Sequence, residues 1–117
     1  MNPKDHLPLT VPVFHILLTL IHEDSHGYSI IQDIRERTSG EVSLTASTLY
    51  AAIRRLRESG MIEELTARPQ DDPDPRRRYY RITPLGRDVL RLESERLERQ
   101  LALARQTNLV PTTGQSR

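Results

Sequence analysis

Apolar positions follow three rhythms along this chain. From Val11 to Ile21 nearly every residue is apolar (VPVFHILLTLI), with Pro12 suited to a first helical turn. A helix apolar around most of its circumference is buried on two sides. One side is expected to meet Ile30, Ile34 and Leu56; the other needs a second structure, inferred to be the C-terminal helix of the same or a neighbouring subunit. After the His26-Gly27-Tyr28-Ser29 punctuation, Ile30, Ile31, Ile34 and Thr38 continue at helical spacing to about Ser39, where Gly40 ends the element. A short link, Glu41 to Leu44, leads into a second helix from near Thr45, with Val42 and Leu44 expected to pack inward. Its stripe is Leu49, Ala52, Ile53 and Leu56. Ser43 or Thr45 is the candidate cap, and Gly60 the stop. Two short helices with a tight connection match a helix-turn-helix.

Past Gly60 the period shortens. Met61 to Ala67 and Arg77 to Thr83 alternate well enough to pair as antiparallel strands, with Ile62 and Leu65 facing the core alongside Tyr80 and Ile82. The link between them, Arg68 to Arg76, carries Pro69, Pro73 and Pro75, which exclude continuous ladder pairing and predict a projecting loop. From Pro84 to Gln106 helical spacing returns: Leu85, Val89, Leu92 and Arg96 follow one stripe, and Leu90, Leu97, Leu101 and Ala104 another at near-heptad intervals. Arg91 with Glu95 and Glu95 with Arg99 add pairs four apart. Such a helix spans about 35 Å, long for so small a domain. It predicts a two-fold dimer arm setting two recognition helices ~34 Å apart, against the simpler arrangement of a helix laid along its own domain.

The fold class that follows is mainly α with a small β-wing (α+β), a winged helix-turn-helix with a long C-terminal dimerisation helix. Its divisions are a flexible N-terminus (1–8), the winged domain (9–83), the dimerisation helix (84–106) and a disordered tail (107–117). On the side of the second helix opposite its apolar stripe lie Ser47, Thr48, Tyr50, Ala51, Arg54 and Glu58, with Arg55 and Arg57 on the flanks. Short hydroxyls near a helix start approach base edges closely, and arginines further along reach phosphates. The arginines taken alone fit an ordinary solvated face equally well. In the wing, Arg76, Arg77, Arg78 and Arg81 occupy the returning arm, while Asp71, Asp72 and Asp74 sit near the tip. The aspartates either point away from DNA or hold the arginines in place.

Four ordered motifs carry a resemblance: His26-Gly27-Tyr28, Ser47-Thr48-Leu49-Tyr50, Arg55 to Glu63 (RLRESGMIE), and Arg78 to Gly86 (RYYRITPLG). Together they resemble the PadR family of bacterial winged-helix transcriptional regulators. The resemblance implies a homodimer, usually a repressor, on an inverted-repeat operator in double-stranded DNA. It also implies DNA contact by Tyr50 and the neighbouring polar groups, backbone contact by the wing, and often a phenolic or other aromatic or hydrophobic small-molecule effector at the dimer interface. The long aspartate- and proline-rich wing tip departs from the common pattern. The candidate DNA-binding residues are Ser47, Thr48, Tyr50, Arg54, Arg55, Arg76, Arg77 and Arg78; the candidate dimerisation residues are Phe14, Leu17, Leu90, Leu97, Leu101 and Ala104. The alternative is a winged-helix module that binds another protein and leaves the arginines as mere surface.

Composition narrows the choice. With 117 residues, 36% hydrophobic and one Phe, there is room for one domain with a small core, so apolar surface is left for a partner. A net charge of +1 says little, but the basic residues cluster around 54–57 and 76–81. The absence of cysteine excludes disulfides and cysteine-ligated zinc. Met1 to Pro8 is polar, without the look of a secretory leader, and Val11 to Ile21 is too short to span a bilayer, so a cytoplasmic protein without a membrane partner is expected.

His22-Glu23-Asp24-Ser25-His26 satisfies the HExxH pattern in which two histidines on one helical face hold zinc. Asp24 to Gly27 reads instead as a helix end and turn, and no third ligand is evident. His15 reads as a packing or interface residue and His6 as mobile. The serines lack an activating motif and the glycines form no phosphate loop, so no catalytic residue, metal site or cofactor is expected and the chain is not an enzyme.

Overall fold

The computed structural model describes residues 2–66 and 72–111. Among the described residues, four α-helices and three short strands follow in the order α1 (Val11–His22), β1 (Ser25–His26), α2 (Gly27–Arg37), α3 (Ala46–Glu58), β2 (Ile62–Glu64), β3 (Tyr79–Ile82) and α4 (Pro84–Gln106). This is the winged helix-turn-helix expected, with α4 spanning the range its pattern predicts. The tip residues Arg68 to Asp71 and residues 112–117 of the expected tail lie outside the described residues. No helix among the described residues is long and apolar enough to cross a membrane.

Local chemistry explains the boundaries. Thr10, Thr45 and Thr83 cap α1, α3 and α4, each accepting a backbone N–H three residues on. Pro12 and Pro84 sit in first turns, where their missing N–H costs nothing. Helix α2 stops two residues earlier than the spacing predicts. The Thr38 hydroxyl donates to the Ile34 carbonyl at 2.9 Å and accepts the Val42 N–H at 3.0 Å, folding the chain back, while Ser39 and Gly40 both adopt positive φ. At the exit of α3, Gly60 takes φ +78° and lets the Met61 N–H reach the Leu56 carbonyl at 2.9 Å.

The core lies where the four helices meet the sheet. Ile16, Leu17 and Leu20 of α1 pack with Ile30 and Ile34 of α2, Leu49, Ile53 and Leu56 of α3, and Val89 and Leu90 of α4. Each fully buried Leu or Ile contributes roughly 1.5–3 kcal/mol. Leu44 is buried and Val42 half-buried, as expected for the link. Two dimerisation assignments are corrected here. Leu17 is fully buried and Leu90 is 6% exposed within the single chain, because α4 packs on α1 of its own subunit. Neither presents a surface to a partner.

The sheet order is β1-β3-β2, antiparallel throughout. Tyr80 and Ile82 of β3 and Ile62 of β2 turn inward, whereas Leu65 is only half-buried. The strands are shorter than the alternation predicts, and β1 comes from the segment read as a turn: Ser25 and His26 pair with Tyr80 and Tyr79. The segment expected to be flexible also carries local structure. Pro3–His6 forms a 3-10 turn that packs on α4.

Candidate nucleic-acid interface

The outer face of α3 begins with three hydroxyls. The Thr45 side chain accepts the Thr48 N–H at 3.2 Å and lies 3.0 Å from the Thr48 hydroxyl and 3.3 Å from that of Ser47. Ser47 and Thr48 are exposed. Because Leu49, Ala52, Ile53 and Leu56 anchor the opposite stripe in the core, this hydroxyl cluster stands out rigidly from the body. Tyr50 follows, 47% exposed, its phenol filling the space above Gly27 at the start of α2.

The wing arm completes one side of the same surface. Tyr50 shares a cleft of about 440 Å³ with Tyr28, Gly27, His26, Asp74 and the run Arg76, Arg77, Arg78. The structure thus brings Tyr50 of α3 beside the wing arginines. Tyr28, 64% exposed, joins this surface although it is not among the candidate contact residues, since a single tyrosine at a helix start carries no pattern that tells exposure from burial. Arg54 is exposed on the Tyr50 side, at about 100° per residue around the helix. Arg55 is not part of this group. It lines a separate hollow of about 330 Å³ with His6, Pro8 and Ser59, on the flank facing the N-terminal segment.

The described wing arginines are held by carboxylates. Arg76 donates to Asp74 at 3.3 Å, Arg77 to Asp72 at 3.3 Å, Arg78 lies 3.7 Å from Glu64, and Arg81 donates to Asp24 at 2.9 Å. Asp72 is the organiser: its side chain is fully buried and also accepts the Tyr79 hydroxyl at 2.6 Å and the Asp74 N–H at 2.9 Å. Of the two roles left open for the wing aspartates, Asp72 and Asp74 take the second and hold the arm. Glu64 also lies 3.2 Å from Arg57, joining the exit of α3 to the wing. Arg76 remains 90% exposed and Arg78 69% exposed, so phosphates can reach both without breaking the core.

His26 sits at the base of the wing. Its Nδ1 accepts the Ser29 N–H at 3.4 Å and its ring meets Tyr79 edge to face at 5.2 Å. Burial, with help from Arg77, pushes its pKa below the ordinary imidazole value. The HExxH spacing has no helix beneath it: α1 ends at His22, Glu23 is extended, and His26 lies in β1. The two imidazoles therefore do not share a helical face, the geometry that zinc binding by this motif requires.

A second surface runs along α4. Phe14, Leu97 and Leu101 line an open groove of about 430 Å³ with Arg91, Glu95 and Glu98. Leu97 and Leu101 are 40% and 39% exposed, and Ala104 is half-buried one turn further on.

The model of the PadR-like transcriptional regulator family matches residues 16–92, which span α1 through the first half of α4. The chain belongs to the PadR-like family. It is therefore a DNA-binding transcriptional regulator and not an enzyme. A protein of Lysinibacillus sphaericus is 37% identical over 75 residues, covering 64% of this chain and 67% of its own. Among solved structures, a transcriptional regulator of Clostridium thermocellum is similar at 33% identity and TM-score 0.70, over 81% of this chain and 87% of its own. A PadR family transcription regulator of Clostridium difficile R20291 matches at 26% identity and TM-score 0.73, over 84% and 98%. The fold is also that of Bacillus subtilis PadR in complex with operator DNA, at 24% identity and TM-score 0.59, over 72% of this chain and 46% of that one.

Proposed function

We propose that this PadR-like regulator acts as a homodimeric repressor of an inverted-repeat operator. Ser47, Thr48, Tyr50 and Arg54 of each subunit enter the major groove, while Arg76, Arg77 and Arg78 brace on flanking phosphates and Arg55 reaches the backbone on the far flank. The observation that carries this reading is the cleft that Tyr50 of α3 shares with the wing arm. The apolar seam of half-buried Phe14 and exposed Leu97 and Leu101, continued by Ala104, supports pairing through α4. Occupancy of a promoter by the dimer excludes polymerase. A small aromatic or hydrophobic effector at the seam would relieve repression by rotating the two winged domains out of register.

The test is operator binding by Tyr50→Ala and Arg54→Ala with dimer mass followed in parallel. Loss of specific binding with the dimer intact is expected. Unchanged binding in both variants would remove the proposed groove contacts and favour a protein-binding role.

A further inference from the structure

The docked half of α4 ends on a charge. Its buried residues are Gly86, Val89, Leu90 and Glu93, and past Glu93 no residue of the helix is buried. Glu93 is only 2% exposed. One carboxylate oxygen accepts the Leu9 N–H at 3.0 Å, from the segment leading into α1. Both oxygens face the Arg96 guanidinium, at 2.6 and 3.0 Å. Arg96 lies on α4 itself, three residues on, so of the three hydrogen bonds it is the one from Leu9 that ties Glu93 to the rest of the winged domain.

We propose that Glu93 is a positioning residue for DNA recognition: oriented by Arg96 of its own helix and held by the Leu9 N–H, it is the fulcrum that fixes the exit angle of α4 and so the operator half-site spacing. The inference rests on the dimeric reading above. Burying the carboxylate costs desolvation that its pairing with Arg96 largely offsets, so the pair adds little net stability. What the carboxylate supplies is a directional tether to the segment before α1, with Arg96 holding its orientation. From Glu93 to Gln106 the helix runs ~20 Å further. A rotation of about 10° at the fulcrum shifts its far end by ~3.5 Å, roughly one base-pair step. The N-terminal segment, through the Leu9 N–H, then acts as a strap that ties α1 and α4 into one body.

The test uses the full chain, Glu93→Leu and Glu93→Gln, on operator duplexes whose half-site spacing is altered by one or two base pairs. In parallel, a nitroxide at Glu58→Cys, in a chain with no other cysteine, reports the distance between recognition helices across the dimer. The parent is expected to prefer one spacing by about tenfold or more, and Glu93→Leu to bind all spacings within about threefold with a broadened distance distribution. Glu93→Gln keeps an acceptor for Leu9 but loses the ion pair, and is expected to fold and to lose part of the preference. A parental preference and a narrow distribution in either folded variant would overturn the fulcrum alone. A parent without spacing preference would overturn the dimeric operator reading and the fulcrum together.

Discussion

The phenol of Tyr50 occupies the space that a Cβ on residue 27 would fill, so Gly27 at the start of α2 sets where the α3 side chain points. A methyl there would overlap the Tyr50 hydroxyl and approach its ring carbon at 2.8 Å. The obstacle is the far end of a movable side chain. Gly27→Ala is therefore expected to change stability by less than about 1 kcal/mol, since alanine suits a helix better than glycine. Operator affinity should nevertheless fall, by an amount close to that of Tyr50→Ala. Thermal melting beside a binding titration separates the two effects.

Gly86 poses the opposite case. A Cβ on it would run into the Met61 carbonyl oxygen and lie 2.8 Å from a carbon of Ile82. That oxygen is backbone and already accepts the Thr83 N–H at 3.0 Å, so it cannot retreat. Gly86→Ala is expected to destabilise the fold by about 1–3 kcal/mol, read as a lowered midpoint in urea with an unchanged slope.

Arg76 and Arg78 carry exposed guanidinium groups beside the Tyr28–Tyr50 cleft. If each meets one phosphate, Arg76→Ala and Arg78→Ala should each lower the slope of log affinity against log salt by about one and weaken binding evenly across sequences. Arg54→Ala should instead cost about 1–3 kcal/mol at the operator and relax preference at particular bases. A salt series on operator and scrambled duplex distinguishes the roles.

Acidification should loosen the base of the wing. The folded state holds His26 below its ordinary value of 6.5, chiefly by burial and then by Arg77. A depressed histidine contributes stability that is complete above pH 6.5 and is lost as pH falls through the lowered value. Protonation also removes the Nδ1 acceptor that caps α2. His15 is lowered for the same leading reason and adds a second contribution of the same sign. The thermal midpoint should therefore drop on acidification, and drop less in His26→Asn, which keeps a capping side chain.

Much of this architecture was legible in the chain because it rests on local chemistry. The stripe Leu49, Ala52, Ile53, Leu56 and the punctuation by Thr45 and Gly60 delimit α3 without reference to any other element. The same holds for α4, bounded by Thr83, Pro84 and the end of its stripe. What escaped was set by contacts distant in sequence. The pairing of Ser25 and His26 with β3 involves two residues, too few for alternation to register. Leu17 and Leu90 read as seam residues because periodicity marks an apolar face but not which chain covers it. Glu93 carries no pattern in sequence that sets it apart from the other charges of α4, and only the fold brings Leu9 to it. At the interface, the α3 hydroxyls and wing arginines were legible as types, whereas Tyr28 and the separation of Arg55 from Arg54 depend on three-dimensional placement.

The central claim is a dimer whose two α3 helices read half-sites one DNA turn apart. The measurement that tests it most directly is selection of genomic duplexes by the purified protein, followed by affinity across a salt series. The account predicts enrichment of an inverted repeat with half-sites about 10 base pairs, ~34 Å, apart, bound tightly and with steep salt dependence. Failure of the folded dimer to enrich any duplex would contradict it.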